Sequence, residues 1–344
     1  ALIWRIERSL KIYPAWLHIL VAKRMARVIN KYAREYDVVH YHGHYPHVAN
    51  YLPSDINLVV THHDYSVSCP KKTFLKKEGH PCSPGIESRR CAECHLDAPD
   101  GFRKWLTRRG VEAWRSGARK AINRHKHIFV SRRLAELNLA VLGEKNAPVS
   151  VVHNFVDCRL IRGYVAGQCF KKPGDKKTRV IISNSMDPHK GIKEFLKVAA
   201  ENDVLNEDVE IVIAGGGSQK AQLEAEYAAK GVVFLGHVPY AEVINAVCDA
   251  DIYLLPSIWE ESCSTGVLEG ICLNKDVRAL NRGGTPELAK YAVATSQLKL
   301  YDDMQSLAKS LTAKNVFRSD ISMNTAFGAC VAEKVEDILE VYRK

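Results

Sequence analysis

Short apolar runs alternate with longer, helix-like segments along most of this chain, and the alternation leaves few folds open. In the second half the runs RVIISN, VEIVIAGGG, VVFLG and DIYLLPS each lead through a turn into a segment with helical spacing of apolar residues. Strands separated by helices cannot pair as hairpins, so they form parallel sheets with helices on both faces. The sequence therefore predicts an α/β protein with doubly wound, Rossmann-like sheets.

The alternation falls into two blocks, which predicts two domains. We expect an N-terminal, acceptor-side domain over residues 1–162 and a C-terminal domain over residues 178–325. The polar, glycine-containing segment 163–177 has the composition of a linker. A helix over 326–344 is expected to end the chain and to cross back to the first domain. A length of 344 residues fits two domains of ordinary size.

Composition predicts a globular protein without a membrane span. Apolar residues make up 46% of the chain and charged residues 26%, and no apolar run approaches the roughly 20 residues that a spanning helix needs. The N-terminus lacks a signal-peptide pattern. We therefore expect a cytoplasmic protein, peripheral at the inner face of the membrane.

The net charge of +10 is confined to one segment. Residues 101–133 hold eleven Lys and Arg against one acid, Glu112, so the rest of the chain is neutral. Apolar residues recur there at three- and four-residue spacing, which predicts an amphipathic helix over 101–126 with a basic face. Such a face either is solvated or contacts a polyanion such as anionic lipid, an acidic glycan or nucleic acid.

Polar residues follow two predicted strands of the first domain. DVVHYHG (37–43) has His42 next to its end, and NLVVTHHD (57–64) ends with His62, His63 and Asp64. Ligands of open α/β sheets bind beyond the carboxyl ends of the strands. We therefore expect His42, His62 and Asp64 on the side of the acceptor.

Three features of the second domain suit a nucleotide. Gly215, Gly216 and Gly217 lie between a strand and a helix, where backbone approaches a phosphate closely, although a tight turn explains them equally well. Lys190 follows the first strand, where an ammonium can meet a diphosphate. Glu261 and Glu269 bracket a helix start near Ser264, where they serve either as hydroxyl-binding carboxylates or as partners of the helix dipole.

Together these motifs resemble the large retaining glycosyltransferase family four, whose members have the two-domain GT-B fold and use nucleotide-sugar donors. The resemblance is most specific in PSIWEESCSTGVLEG, where two glutamates have the family's Glu-x7-Glu spacing. The motifs VVHNFVD, IVIAGGG, VVFLGHV, DADIYLLPS and GGTPEL also occur in the expected order. The resemblance implies two Rossmann-like domains that face a cleft, with the donor on the second domain and the acceptor on the first.

The resemblance also implies roles for particular residues. It assigns Glu269 to the ribose hydroxyls, Glu261 to the transferred sugar, and Lys190 to the phosphates. His63 matches a first-domain histidine that reaches the donor sugar. The backbone of Cys263, Ser264 and Thr265 would help hold the diphosphate and sugar, and catalysis would need no metal or other cofactor.

The chain departs from the family pattern at three places. Ser185 stands where an arginine is typical, so the diphosphate is held less tightly there or by other groups. Cys263 and Ser264 replace a phenylalanine-glycine pair. Only about 36 residues precede the first matching strand, so the first domain is expected to be short at its N-terminus.

The loop over 64–100 carries four cysteines, Cys69, Cys82, Cys91 and Cys94. A cluster with a Cys-x2-Cys pair is typical of a structural zinc site, and free buried thiols or a redox pair are the alternatives. A reducing compartment disfavours disulfides. We interpret the other six cysteines as packing residues.

The predicted function is transfer of a sugar from a UDP- or GDP-type donor to an anionic acceptor, a lipid-linked glycan first and a polysaccharide second. Two alternatives stay open from the sequence. One is a glycosyltransferase that acts on modified nucleic acid, and the other is a non-catalytic nucleotide-sugar-binding protein of the same fold.

Overall fold

The computed structural model describes residues 2–77, 79–83, 88–96, 101–165, 177–312, 316–317 and 327–344. The chain divides into two compact units, Ala1–His153 with Glu336–Lys344, and Asn154–Val335. The division lies earlier than the predicted boundary at residue 162. Most of the predicted linker at 163–177 lies outside the described residues.

The first unit contains one parallel sheet of four strands in the order β1-β2-β3-β4. Its strands are β1 (Val39–His42), β2 (Leu58–His62), β3 (Lys126–Phe129) and β4 (Val149–Val151). Its helices are α1 (Leu2–Leu10), α2 (Ala15–Tyr32), α3 (Ser88–Leu96), α4 (Gly101–Ile122) and α5 (Arg132–Leu142). The predicted basic helix is therefore present as α4.

The ends of α5 follow from its sequence. Ser131 is the N-cap of this helix, and its hydroxyl accepts a hydrogen bond from the Leu134 amide at 3.2 Å. The helix ends at Gly143, whose left-handed backbone a glycine adopts without strain. These two signals place α5 between β3 and β4.

The second unit contains a six-stranded parallel sheet in the order β10-β9-β8-β5-β6-β7. Its strands are β5 (Thr178–Ser183), β6 (Val209–Ala214), β7 (Val233–Gly236), β8 (Ile252–Leu255), β9 (Asp276–Leu280) and β10 (Leu298–Tyr301). Its helices are α6 (Cys158–Val165), α7 (Ile192–Glu201), α8 (Lys220–Tyr227), α9 (Tyr240–Asp249), α10 (Thr265–Cys272) and α11 (Met304–Lys309). The chain ends with α12 (Val331–Arg343), which begins in this unit.

The strand order of the second sheet reverses between β5 and β8. Strands β6 and β7 lie on one side of β5, whereas β8, β9 and β10 lie on the other. This is the strand order of the dinucleotide-binding Rossmann fold, whose ligands bind where the order reverses. A buried aliphatic core covers one face of the sheet and includes Val180, Ile182, Ile213 and Leu254.

The end of α12 packs on the sheet of the first unit. Val341 is buried in a small cluster with Val59, Ile128 and Val152. The Tyr342 hydroxyl lies 2.7 Å from Nδ1 of His40. Residues 336–344 therefore complete the first unit, although they come last in the sequence.

A disulfide joins Cys158 to Cys330 in the second unit, so the interpretation of both as packing residues is wrong. The pairing was missed because the two cysteines are 172 residues apart, and because disulfides had been disfavoured by compartment. Cys248 is also disulfide-bonded, whereas Cys263 and Cys272 are free, buried thiols. Cys169 lies outside the described residues. Within the described part of the chain, every helix is too short or too polar to cross a bilayer.

Candidate functional site

The main site candidate lies at the carboxyl ends of β5 and β8, where the strand order reverses. The segment after β5 contains Lys190, and the segment after β8 contains Glu261 and leads into α10. The topology thus brings together two motifs that are about 70 residues apart in the sequence.

Lys190 is held by a turn that packs on the loop after β8. It ends a short 3-10 helix, and Gly191 follows with φ of +68°. A Cβ atom at Gly191 would meet the Pro256 carbonyl oxygen at 2.2 Å, so only glycine permits this approach. The Lys190 ammonium lies 4.9 Å from the centre of the Trp259 ring, a cation–π contact.

Glu261 is the direct partner of Lys190. The Lys190 Nζ lies 2.7 Å from Glu261 Oε1, and the Ser257 hydroxyl donates to the same oxygen at 2.8 Å. Glu261 is only 4% exposed. Because a buried carboxylate needs a compensating charge, this pair is a structural requirement of the loop as well as a candidate ligand site.

The turn at 282–284 binds the two adjacent glutamates after β8, Glu260 and Glu261. The Gly284 amide donates to the Glu261 carbonyl, and the Gly283 amide donates to the Glu260 carboxylate at 3.0 Å. Gly283 has φ of +57°, and a Cβ atom there would lie 2.0 Å from the Glu261 carbonyl oxygen. The motif GGTPEL therefore supports the backbone that carries Glu261.

Helix α10 begins beside this pair. Ser264 is its N-cap, and its hydroxyl accepts from the Val267 amide at 3.3 Å. The Asn154 side chain donates to the carbonyl of the buried Cys263 at 2.8 Å. A helix start directs amide N–H groups and a partial positive charge at whatever lies before it, which suits phosphate.

Glu269 lies on α10 with its carboxyl buried. Burial raises its pKa to about 7, against a hydrogen bond from the Tyr240 hydroxyl at 2.9 Å that acts in the opposite direction. A carboxyl has about four acceptor sites, so this one can accept more hydrogen bonds than the one from Tyr240. Hydroxyl groups of a ligand would supply them.

The three glycines have different roles. Gly215 and Gly217 pack against the loop after β5, where added Cβ atoms would meet backbone of Asn184 and Met186 at 2.0 and 2.6 Å. A Cβ atom at Gly216 would meet nothing within 4 Å. The tight-turn interpretation therefore explains two of the glycines, and Gly216 alone leaves open space for a ligand.

Ser185 lies in the loop that these glycines contact. Its amide donates to the Asn184 side chain at 2.9 Å, and its hydroxyl bonds to Asp187. The Asp187 carboxylate also accepts from the Ser218 amide at 3.0 Å, so it joins the two loops. Hydrogen bonds from Ser218 and Ser185 keep the pKa of Asp187 below its usual value despite partial burial. The structure thus shows Ser185 in a loop-forming network.

In the first unit, two predicted histidines meet at the ends of β1 and β2. His42 Nδ1 lies 2.9 Å from His63 Nε2, and the rings stack with centroids 5.3 Å apart. Burial lowers the pKa of His42. Asp64 accepts from the Ser66 amide and pairs with His44 at 2.9 Å. These contacts hold the pKa of Asp64 below its usual value although burial opposes them.

His62 does not lie with them. It is the last residue of β2, is 2% exposed, and bonds to Nδ1 of His127 at 2.8 Å. Burial holds the pKa of His62 well below its usual value. Successive residues of a strand point to opposite faces, so His62 enters the core and the structure does not support its predicted place on the acceptor side.

The structure does not support the predicted zinc site. No group of three or more His, Cys, Asp or Glu among the described residues could hold a metal ion. The thiols have other partners: the Arg115 guanidinium lies 3.1 Å from the Cys91 sulfur, and the Cys94 thiol donates to the Leu75 carbonyl. Burial raises the thiol pKa values of Cys69 and Cys91, and raises that of Cys82 to about 11. Burial therefore favours the protonated thiol over the thiolate at Cys69, Cys82 and Cys91.

Three residues of the site were missed from the sequence. Trp259 lies under the Lys190 ammonium, Ser257 donates to Glu261, and Tyr240 donates to Glu269. Trp259 and Ser257 belong to the motif that carries Glu261, so proximity in the sequence could have suggested them. Nothing in the sequence indicates Tyr240, because α9 meets α10 only in the folded sheet.

Two family models match most of the chain. The model for Glycosyltransferase Family 4 matches residues 4–160, and the model for Glycosyl transferases group 1 matches residues 170–313. Between them they include all ten strands of the two sheets.

Curated relatives match over parts of their length. The phosphatidylinositol N-acetylglucosaminyltransferase GPI3 subunit of Saccharomyces cerevisiae is 26% identical over 180 residues, which are 51% of this chain and 39% of the relative. A GDP-mannose-dependent monoacylated alpha-(1-6)-phosphatidylinositol monomannoside mannosyltransferase of Corynebacterium glutamicum is 29% identical over 119 residues, 32% of this chain and 31% of the relative. The matched part thus spans about two fifths of the yeast relative's length.

Solved structures share the fold at low identity. HepE of Anabaena in complex with UDP and glucose has a TM-score of 0.58 and 16% identity, over 93% of this chain and 79% of that chain. Sucrose-phosphate synthase of Thermosynechococcus elongatus has a TM-score of 0.57 and 16% identity, over 86% and 68%. With both family matches and two Rossmann-like parallel sheets, the chain belongs to the GT-B glycosyltransferases of family four.

Proposed function

We propose that this chain is a retaining glycosyltransferase that moves a sugar from a UDP- or GDP-type donor to a hydroxyl of a glycan or lipid-linked glycan. The observation that carries the proposal is the arrangement of Lys190, Glu261 and Glu269 around the start of α10, where the strand order of the second sheet reverses. Each of these groups has the chemistry that one part of a nucleotide sugar requires.

The diphosphate is assigned to Lys190 and the start of α10. An ammonium has three N–H donors, and Glu261 uses one of them at 2.7 Å. The others can serve phosphate oxygens, together with amide groups of Cys263, Ser264 and Thr265. These positive groups stabilise the leaving diphosphate in the role that a metal ion has in other transferases, so the proposed catalysis is independent of metal.

The hydroxyls are assigned to the two glutamates. Glu269 accepts from the Tyr240 hydroxyl, which fixes the orientation of the carboxyl, and its remaining acceptor capacity is assigned to ribose hydroxyls. Glu261 is held by Ser257 and Lys190 and is assigned to hydroxyls of the transferred sugar. Hydrogen bonds of hydroxyls to a carboxylate contribute about 1.5–3 kcal/mol each.

The proposed reaction breaks the bond between the anomeric carbon and the diphosphate oxygen and forms a bond to the acceptor oxygen on the same face. The acceptor proton passes to the leaving phosphate, which departs as the nucleoside diphosphate. His63, held by His42, is assigned to the transferred sugar on the strength of the family resemblance. His42 and Asp64 are assigned to the acceptor side on the same strength.

The acceptor is proposed to be lipid-linked. Two relatives carry names that refer to phosphatidylinositol or its mannoside. The concentration of positive charge in α4 also favours an anionic acceptor over a neutral one.

A panel of nucleotide sugars tests the donor site by thermal shift. A donor that binds the folded protein must raise the melting temperature, and Glu269→Gln should reduce that rise. Glu242→Gln makes the same change at an exposed position of α9 and should leave the rise unaltered. If no nucleotide sugar raises the melting temperature, the donor assignment is wrong.

Product analysis tests the reaction. The stabilising donor is incubated with lipid-linked and free glycan acceptors, and proton NMR reads the anomeric configuration of the product. Retention is expected, and a chelator should leave the rate unchanged. Inversion would contradict the proposed mechanism, and donor binding without any transfer would favour the non-catalytic alternative.

A further inference from the structure

We propose that the first unit docks on an anionic lipid bilayer through an aromatic–basic surface formed by α3, the first half of α4 and the start of α2. The surface consists of two apolar pairs and a set of exposed cations around them: Phe102, Trp105, Trp16, Leu20, Arg89, Arg90, Lys104, Arg108 and Arg109. The purpose assigned to docking, access to a lipid-linked acceptor, rests on the proposed function. Docking itself can be measured without any donor or acceptor.

The apolar part begins in the first turn of α4. Phe102 and Trp105 are 69% and 54% exposed, although large aromatic side chains are usually mostly buried. Their rings stack on each other, with centroids 6.0 Å apart and planes inclined by 25°. Two adjacent rings directed at solvent form a compact apolar anchor. Tryptophan and phenylalanine beside cations are typical of helices that lie in a membrane interface.

The basic part of α4 is divided by the structure into two halves. In the second half and just after the helix the cations serve the fold: Arg115 donates to the Ser68 carbonyl at 2.9 Å, Arg119 donates to the Leu142 carbonyl, and Arg124, which follows α4, donates to the Leu52 carbonyl at 2.9 Å. These residues were part of the predicted polyanion-binding face. Their hydrogen bonds assign them to packing, so only the first part of segment 101–126 belongs to the docking face.

The cations of the first half face solvent around the aromatic pair. Lys104, Arg108 and Arg109 are exposed, and so are Arg89 and Arg90 on the neighbouring helix α3. Among the described residues two carboxylates pair with them: Glu93 lies 3.9 Å from Lys104, and Glu112 pairs with Arg108 and Arg109. Within this described set, five cations against two carboxylates leave a net charge of +3 beside the two exposed rings.

The start of α2 carries two further exposed apolar side chains and packs on α4. The Tyr13 amide donates to the Thr107 hydroxyl at 3.1 Å, so the turn before α2 packs directly on α4. Trp16 and Leu20 are exposed one turn apart on α2, and α2 contains no acidic residue.

The chemistry of this surface favours lipid over nucleic acid. A nucleic acid would use rings as separate stacking platforms for bases, whereas these two rings stack on each other. An exposed leucine gains nothing from a phosphate backbone, but it gains from acyl chains below anionic headgroups.

Vesicle flotation tests the proposal with the full chain. We compare vesicles of phosphatidylcholine with vesicles of equal parts phosphatidylcholine and phosphatidylglycerol. Wild-type protein should float with the anionic vesicles and remain unbound with the neutral ones. The variants Phe102→Ser/Trp105→Ser and Arg108→Glu/Arg109→Glu should each reduce the partition coefficient at least tenfold.

Matched controls separate docking from folding. Tyr36→Ser removes an exposed ring of the same unit, and Lys197→Glu/Lys230→Glu reverses two exposed charges of the second unit. Both should float like wild type. Every variant should keep the wild-type melting temperature and its rise with a nucleotide sugar, so a failed donor site and a failed docking surface give different results.

Two results would overturn the proposal. One is that wild-type protein stays unbound with anionic vesicles, or that the surface variants float as well as wild type. The other is that single-stranded or duplex nucleic acid displaces the protein from vesicles, and that its binding is lost in the same variants, because the surface would then belong to a nucleic-acid partner.

Discussion

Replacing Glu269 with glutamine should change the stability of the protein in a pH-dependent manner. Burial raises the pKa of this carboxyl from 4.5 to about 7. Because the unfolded chain ionises at lower pH than the folded protein, stability falls as pH rises from about 4.5 to 7. Glutamine keeps an oxygen that can accept from the Tyr240 hydroxyl and carries no charge at any pH.

The magnitude follows from the two pKa values. Each unit of pKa corresponds to about 1.4 kcal/mol, so ionised Glu269 costs the folded state about 3 kcal/mol at pH 8. At pH 5 most of that cost is absent, and less than about 1 kcal/mol remains. The new amide N–H groups add a penalty of about 1–3 kcal/mol, but that penalty is the same at both pH values.

The assay is urea unfolding of wild type and Glu269→Gln at pH 5 and pH 8. The difference in unfolding free energy between variant and wild type should be about 2–3 kcal/mol more favourable to the variant at pH 8 than at pH 5. Glu242→Gln, the same change at an exposed position of α9, is measured in parallel as the control. An equal effect of Glu269→Gln at both pH values would refute the reasoning, because the carboxyl would then titrate normally.

Two further predictions concern the support of the site, and a third concerns the disulfide of the second unit. Lys190→Met should destabilise the protein by about 3–5 kcal/mol in urea unfolding, because Glu261 loses its buried counter-charge. The double variant Lys190→Met/Glu261→Gln should recover most of that loss, and additive effects of the two changes would contradict the pairing. Gly283→Ala should lower the melting temperature, because the new Cβ atom would lie 2.0 Å from the Glu261 carbonyl oxygen. Gly216→Ala is the control, since a Cβ atom there would meet no atom within 4 Å. Equal melting temperatures of the two variants would count against this packing. Cys158→Ser/Cys330→Ser should lower the free energy of unfolding by about 2–5 kcal/mol in the absence of reductant. Non-reducing peptide mapping should find a linked Cys158–Cys330 peptide, and its absence would contradict the disulfide.

Sequence alone predicted the regular parts of the fold because their signals are local. The apolar runs and their spacing predicted β1, β2, β5, β6, β7 and β8, whereas the run LKLY of β10 (Leu298–Tyr301) is too polar to stand out. Helix α1 was also missed. The order of the motifs identified the family, and the comparisons confirmed the family and the fold.

The pairings inside the site could not be predicted in the same manner. The Glu-x7-Glu spacing indicated Glu261 and Glu269, but it could not show that Lys190 binds one of them and Tyr240 the other. These contacts depend on which strands are neighbours in the sheet, and the local sequence pattern does not specify the strand order. His62 shows the same limit, since a shift of one residue along a strand moves a side chain from the surface into the core.

The basic segment shows how structure divides a charge pattern. The nine cations of segment 101–126 looked like one face, yet Arg115, Arg119 and Arg124 donate to backbone carbonyl groups of neighbouring segments. Long side chains reach backbone several residues away, so their roles cannot be assigned from helical spacing.

Calorimetric titration with UDP and with GDP tests the central claim most directly, because a nucleoside diphosphate needs neither sugar nor acceptor to occupy the proposed site. At least one of them should bind the wild-type protein, and Glu269→Ala should weaken binding by tenfold or more, since one lost hydrogen bond to a carboxylate is worth about 1.5–3 kcal/mol. If neither nucleotide binds, or if Glu269→Ala binds as tightly as wild type, the assignment of the donor site to Lys190, Glu261 and Glu269 is wrong.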